Sequence, residues 1–320
     1  MTKRTLVMNV DIKEAHVQSI QQALPDWKIV ANKALDEVQD DIKEAEIMLH
    51  WKKDMESIVF EENKNLQWVQ TWSAGIDNLP LSELEQRGVH VTSANGVHAY
   101  PISETIFALI LGLTRKIHTY VKQQQDKVWY HARLNQEIHH KTIGIIGVGA
   151  IGQETVKIAK AFGMKVLGVR HSGRPTAYVD NMYKPEQLDH VLAESDIIVI
   201  TLPLTEETRH MFAKKQFEQM KDSALLINIG RGAIVQEEDL IKALQANEIA
   251  GAGLDVFAKE PLPEDSPLWE MENVIITPHT AGSTEYYDER VIDDIFLPNL
   301  QQYLQGKTPK VNAVHFDKGY

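Results

Sequence analysis

The chain has 320 residues, of which 43% are hydrophobic and 24% charged, with no cysteine. That length suggests two folded domains at roughly 150 residues each, and the composition excludes a disordered chain, while the missing thiols exclude disulfides, thiolate metal sites and cysteine nucleophiles. Forty-five Asp and Glu against 33 Lys and Arg leave a formal net charge of −12, which argues against a nucleic-acid or anionic-membrane partner, since either needs a basic face.

At the start of the chain, TLVMNV (5–10) reads as a short buried strand. IKEAHVQSIQQAL (12–24) reads as an amphipathic helix with Ile12, Ala15, Ile20 and Leu24 on one stripe. The N-terminal stretch has no apolar core long enough for a signal peptide, and no later segment approaches the ~20 apolar residues of a membrane helix, so a cytoplasmic protein is expected. AEIMLHW and LQWVQTW are further strand candidates, and LSELEQRG is a helix closed by Gly88. PISETIFALILGLT (101–114) is a helix opened by proline, apolar enough to be buried between domains. From Thr142 the strands KTIGIIG, MKVLGVR, SDIIVITLPL, SALLINIG, EIAGAGLDVF and VIITPH alternate with helical patterns, and a last helix is expected over about 284–304. Short apolar runs alternating with helices predict an α/β protein with doubly wound, mostly parallel sheets.

TIGIIGVGAIGQETVKIAKAFG joins strand, G-x-G-x-x-G turn and helix. Gly147 allows the tight turn, Gly149 the approach of a pyrophosphate, and Gly152 the packing of helix on strand. The helical stripe Thr155, Ile158, Ala159, Phe162 and the strand after it supply the context that a bare glycine pattern lacks. About 20 residues past this motif an NAD-binding chain offers a carboxylate to the ribose hydroxyls, and an NADP-binding chain offers arginine to the 2′-phosphate. Here VLGVRHSGR places Arg170, His171, Ser172 and Arg174, and no carboxylate. This cluster is either a 2′-phosphate nest or a solvated basic loop.

Three later strand ends carry ionisable residues in apolar or glycine-rich surroundings: NIGRGAIV with Arg231, LDVFAKEP with Asp255 and Glu260, and ITPHTAG with His279. In an open α/β sheet such ends face the ligand crevice. NIGRGAIVQEEDLIKAL, AGAGLDVFAKEPLPEDSPLW, NVIITPHTAGST and LPLTEETRHMF resemble the signature blocks of the D-isomer-specific 2-hydroxyacid dehydrogenases, over most of the chain and most densely from Thr142 to Thr284. The resemblance implies two Rossmann-like domains: a dinucleotide-binding domain over 99–284, inserted in a discontinuous, flavodoxin-like substrate-binding domain of 1–98 and 285–320, usually in a homodimer. It makes Arg231 the anchor of the substrate carboxylate and carbonyl, His279 the acid/base, Glu260 its partner and Asp255 a contact of the nicotinamide carboxamide. Ala150, Ile151, Leu202, Pro203, Thr208 and Ile229 fall where the family touches the cofactor, and Ala74 and Gly75 in WSAGIDNL where backbone N–H groups hold the substrate carboxylate.

These residue types suit reduction of a 2-keto acid, which needs hydride from a nicotinamide and a proton for the developing alkoxide. A histidine backed by a carboxylate can give that proton, and a guanidinium matches a planar keto acid at two points. Arg170 departs from the Asp that many members carry, which favours NADP over NAD. Thr280 is polar where an apolar residue is common. Without a regulatory extension after Tyr320 a phosphoglycerate dehydrogenase is less expected, and Glu260 disfavours a formate dehydrogenase, which has Gln there. Trp51, Trp72, Tyr100 and Trp129 line an apolar pocket, or else belong to core or dimer interface. The expected substrate is a small, non-phosphorylated 2-keto acid such as glyoxylate, hydroxypyruvate or a branched or aromatic analogue, with no metal. The rival function is a dinucleotide-sensing, corepressor-like interaction protein, since fold alone does not establish chemistry.

Overall fold

The structure, a computed structural model, describes residues 3–76, 78–131 and 136–316. It divides into two compact units, one of residues up to His98 together with those from Thr284 onward, the other Ala99–Ser283.

In the first unit, β1 (Thr5–Met8), β2 (Lys28–Ala31), β3 (Ala45–Leu49), β4 (Trp68–Gln70) and β5 (His90–Thr92) form a parallel sheet in the order β2-β1-β3-β4-β5. The central strand TLVM is buried throughout, as a parallel strand covered on both faces must be. Helix Glu14–Ala23 is shorter than the stripe suggested: Ile12 lies outside it and Ala15 is exposed, so Ile20, with Leu24 at its end, does the burying. The sequence reading passed over β2 and β5. β2 is an edge strand with no buried residue, so it lacks the apolar run that marks a strand.

The end of the chain returns to complete this unit. Phe296 stacks on Trp68 with ring centroids 5.1 Å apart, and the indole N–H of Trp68 donates to Thr92 Oγ1 at 2.9 Å. The helix expected over 284–304 begins at Tyr287 and runs with π-type winding through Arg290–Phe296 before Leu297–Leu304. Pro298 has no N–H to give the preceding turn, which explains the local rewinding.

In the second unit, β6 (Thr142–Ile146), β7 (Lys165–Val169), β8 (Asn181–Tyr183), β9 (Ile197–Ile200), β10 (Leu225–Asn228), β11 (Gly251–Leu254) and β12 (Val274–Ile276) form a parallel sheet ordered β12-β11-β10-β9-β6-β7-β8. The order reverses between β6 and β9, which creates a crevice at their C-terminal ends. Helix Ala99–Thr114 starts two residues before Pro101 and packs on β10, β11, β12 and helix Ala150–Ala161. Its Ile106, Leu109, Ile110 and Leu113 join Ile143, Val156 and Ile227 in one core, so the burial expected between domains is burial inside this unit. β8 also escaped the sequence reading, being another short, partly exposed edge.

Candidate active site

β6 runs into the glycine turn at the point where the sheet order reverses. Gly147 has φ +110°, a conformation that L side chains rarely adopt, and donates its N–H to Val169 O at 2.9 Å. A Cβ on Gly152 would lie 2.5 Å from Gly147 O, so helix Ala150–Ala161 approaches as closely as it does only because the position is glycine. Open space faces Gly149, and among the described residues the N–H groups of Ala150, Ile151 and Gly152 have no acceptor. These first-turn donors and the helix dipole form an anion site, which fits a dinucleotide pyrophosphate. Leu202 and Pro203 follow β9; Thr208 donates to Pro203 O at 2.8 Å and accepts the Thr205 N–H at 2.7 Å, which fixes that loop's shape. Ile229 is buried just past β10.

β7 ends in a tight basic turn. Arg170 N–H donates to Tyr183 O at 3.1 Å, Gly173 N–H to Arg170 O at 3.0 Å, and Arg174 N–H to Ser172 Oγ at 3.3 Å. Arg170 is half-buried; His171, Ser172 and Arg174 are exposed. Among the described residues no carboxylate pairs with Arg170, His171 or Arg174, whereas Lys160 on helix Ala150–Ala161 and Lys165 at the start of β7 are held by Asp180 (2.9 Å) and Glu194 (2.8 Å).

The ionisable residues of the last strand ends meet through two loops pressed together. A Cβ on Gly232 would fall 1.9 Å from the Phe257 carbonyl, so the turn after β10 touches the backbone after β11 directly. Arg231 sits at that contact and gives one Nη1 hydrogen bond to Gly230 O, 2.8 Å. Glu260 Oε1 accepts the Phe257 N–H at 3.0 Å and Oε2 meets His279 Nδ1 at 2.7 Å. Burial pushes the Glu260 carboxyl up, but the bonds from His279 and Phe257 and the positive charges of His279 and Arg231 outweigh it and hold it below the usual carboxylate range. His279 Nε2 has no partner among the described residues and the ring is half-exposed, so this nitrogen can reach a ligand.

His279 holds φ +53°, and Asp255 is what keeps it there. This carboxylate, 2% exposed at the end of β11, takes the Thr277 hydroxyl (2.6 Å) and Thr280 N–H (3.0 Å) on Oδ1 and the Ala281 N–H on Oδ2 (3.1 Å). It clamps the loop on both sides of the histidine. The sequence reading gave Asp255 only a cofactor contact; its one signal was a carboxylate in a buried strand end, which does not say what it holds. Thr280 is explained as well, because its side chain is exposed and its backbone does the bonding.

In the other unit, Ala74 and Gly75 lie in the loop after β4. Thr71 Oγ1 donates to Ser73 O at 2.6 Å and Ser73 Oγ to Gly75 O at 2.7 Å. The N–H groups of Ala74 and Gly75 have no acceptor among the described residues. Asp77 of the same WSAGIDNL stretch lies outside the described residues. Trp51 is core, Trp72 packs on Tyr287 at 5.9 Å, Tyr100 is half-exposed and Trp129 fully exposed. Among the described residues no group of three or more His, Asp and Glu could hold a metal ion, and no helix is long and apolar enough to cross a membrane.

Asp255→Ala leaves the buried Ala281 N–H and the part-buried Thr280 N–H without their acceptor and is expected to destabilise the protein by about 1–3 kcal/mol, read by urea unfolding; an unchanged midpoint would refute the clamp. Glu260 supports folding through its depressed pKa, so that contribution is complete above the ordinary value near 4.5 and lost as pH falls through the lower folded value. The Tm gap between wild type and Glu260→Gln should therefore be constant from pH 7 to about pH 5 and close at more acidic pH; a gap that widens there would contradict the sign.

Comparison with known proteins agrees with this geometry. Residues 107–281 match the family model described as "D-isomer specific 2-hydroxyacid dehydrogenase, NAD binding domain". A glyoxylate reductase of Korarchaeum cryptofilum is 33% identical over 289 residues, 88% of this chain and 87% of that protein. A D-isomer-specific 2-hydroxyacid dehydrogenase family protein from Aeromonas salmonicida superposes with a TM-score of 0.85 at 35% identity, covering 99% of this chain and all of that one. An NADPH-dependent glyoxylate/hydroxypyruvate reductase from Sinorhizobium meliloti, solved with NADP and sulfate, gives a TM-score of 0.82 at 26% identity over 99% of this chain and 100% of the other. With the glycine turn, the arginine and the histidine–glutamate pair each at the end of a parallel strand, this chain belongs to the D-isomer-specific 2-hydroxyacid dehydrogenases, oxidoreductases that pass hydride between a nicotinamide dinucleotide and a 2-hydroxy or 2-keto acid.

Proposed function

We propose that this protein is a reductase of short, non-phosphorylated 2-keto acids, glyoxylate and hydroxypyruvate among them, that prefers NADPH and works as a homodimer. The observation that carries the chemistry is His279, bonded through Nδ1 to Glu260 at 2.7 Å with Nε2 open, on the same strand-end edge as Arg231 and the dinucleotide turn. The Ala150, Ile151 and Gly152 amides receive the pyrophosphate, with Leu202, Pro203, Thr208 and Ile229 along the same edge. Bound there, the reduced nicotinamide supplies the hydride. Asp255 Oδ2 takes one hydrogen bond from Ala281 and keeps a lone pair for the nicotinamide carboxamide.

Arg231, whose Nη1 donates to Gly230 O, anchors the substrate carboxylate and carbonyl through its planar guanidinium, polarising the carbonyl before hydride arrives. The proton on His279 Nε2 passes to the carbonyl oxygen as it becomes an alkoxide, while Glu260 stays ionised and keeps Nδ1–H in place. For Ala74 and Gly75, in the other unit, the role of amide donors to a carboxylate rests on the family resemblance, and their N–H groups have no acceptor among the described residues. Names carried by relatives support reduction of glyoxylate-type substrates over a corepressor-like or phosphoglycerate reading.

NADPH preference is supported by the unpaired basic turn Arg170–Arg174 and by the NADP found in the Sinorhizobium enzyme. Dimerisation is supported by helix Ile117–Gln125, which has no buried residue, and by exposed Ile117, Val121, Val128, Trp129 and Tyr130 on and after it. Apolar side chains clustered in this way on a soluble surface mark an interface.

Initial rates with glyoxylate, hydroxypyruvate and 2-ketoisocaproate are expected to be higher with NADPH than with NADH. Arg170→Asp should reverse that order, and His279→Gln should lower kcat by roughly 10²–10⁴. Absence of turnover with every keto acid would sink the reductase reading; equal rates with both cofactors would sink only the NADPH preference. Sedimentation should show twice the chain mass, falling to a monomer when Ile117 and Trp129 are both made serine; a wild-type monomer would refute the dimer.

A further inference from the structure

Lys184 follows directly on β8, the edge strand beside β7, and its side chain lies along the basic turn. A Cβ on Gly173 would stand 2.9 Å from Lys184 Cγ and 3.3 Å from Cε, so the lysine's aliphatic stem occupies the space a side chain at 173 would need. Gly173 has φ +60°, which makes glycine the residue that suits both the turn and the stem. The two segments are also tied by their backbones, with Arg170 N–H on Tyr183 O at 3.1 Å. Beyond Lys184, Gln187 Oε1 accepts the Lys184 N–H at 3.2 Å and Gln187 N–H returns to Lys184 O at 2.9 Å. The exposed lysine is thus directed along the turn by its surroundings.

Its ammonium has no carboxylate partner among the described residues. Lys160, on helix Ala150–Ala161, and Lys165, at the opposite end of β7 from this turn, are by contrast both neutralised, by Asp180 and Glu194. In a chain of net charge −12, Arg170, His171, Arg174 and Lys184 therefore form a gathering of basic groups from two neighbouring strands with no anion of the protein's own. Uncompensated charge of one sign at a ligand-binding strand edge attracts the opposite charge from solution.

We propose that Lys184, reaching across Gly173 from β8, is a specificity-determining cation for the 2′-phosphate of NADP(H), acting beside Arg170, His171, Ser172 and Arg174. The inference rests on the NADPH reading above and adds a residue to it from a separate strand. Arginine supplies directed, planar donors, whereas an ammonium on a flexible stem is a hydrated point charge that follows a phosphate without a fixed angle. Because it meets only the phosphate, it raises affinity for NADP(H) and leaves NAD(H) alone.

The test is a fluorescence titration of the full-length protein with NADPH and with NADH, plus competition by adenosine 2′,5′-bisphosphate and by AMP, on wild type, Lys184→Met, Lys184→Arg and Arg170→Asp. The methionine variant keeps the stem on Gly173 and removes the charge. It is expected to weaken NADPH and the bisphosphate by about five- to tenfold, the scale of one partly solvated charge-assisted contact, and NADH and AMP by less than about twofold. Lys184→Arg should restore most of the loss. If wild type prefers NADPH but Lys184→Met binds it unchanged, or loses both nucleotides equally because the turn has been loosened, the assignment of Lys184 is overturned while the NADPH reading stands. If wild type binds both nucleotides alike and Arg170→Asp changes nothing, the 2′-phosphate reading fails and Lys184 falls with it.

Discussion

The buried carboxylate of Asp255 is the constraint on which the reacting end of this protein depends. It fixes a hydroxyl and two backbone N–H groups on either side of a histidine held at positive φ, so that His279 meets Glu260 at 2.7 Å instead of swinging in solvent. A half-exposed loop residue loses a good deal of entropy when it is held in one geometry. Hydrogen bonds to a buried, water-excluded carboxyl group are the kind strong enough to offset that. Glu260 then orients the ring from its other side, and its own oxygen is kept in place by Phe257 N–H.

Backbone proximity does for Arg231 what Asp255 does for His279. The approach of Gly232 to the Phe257 carbonyl leaves no room for a side chain, and through it the loops after β10 and β11 share one position. Arg231 is thereby close enough for its charge to lower the Glu260 pKa, so the cation, the anion and the imidazole act as one electrostatic group. Parallel strands make such gathering possible: every strand of the second sheet ends at the same edge, and each following loop starts from a fixed point on that edge.

Charge is distributed with the same economy. The protein is acidic as a whole, yet beyond β7 and β8 its basic groups lack the carboxylates that neutralise Lys160 and Lys165 a few residues away. At the other end of the crevice, free N–H groups of the first turn of helix Ala150–Ala161 do similar work with dipoles in place of charges. These are two devices of the kind that suits an anion, one rigid and built from backbone, one adjustable and built from side chains.

By itself the sequence determined what depends on neighbours along the chain. The glycine turn between strand and helix, and Arg231, Glu260 and His279 following apolar strands, were legible because strand, turn and helix each impose a local pattern. The short edge strands β2 and β8 were not, since an edge strand buries too little to need an apolar run. Only the tertiary structure decided that Phe296 stacks on Trp68, that Asp255 clamps the Thr277–Ala281 loop, and that Lys184 lies on Gly173. Each of these joins residues far apart in sequence, and strand order, which sets such partners, leaves no periodic trace in either of the segments it brings together.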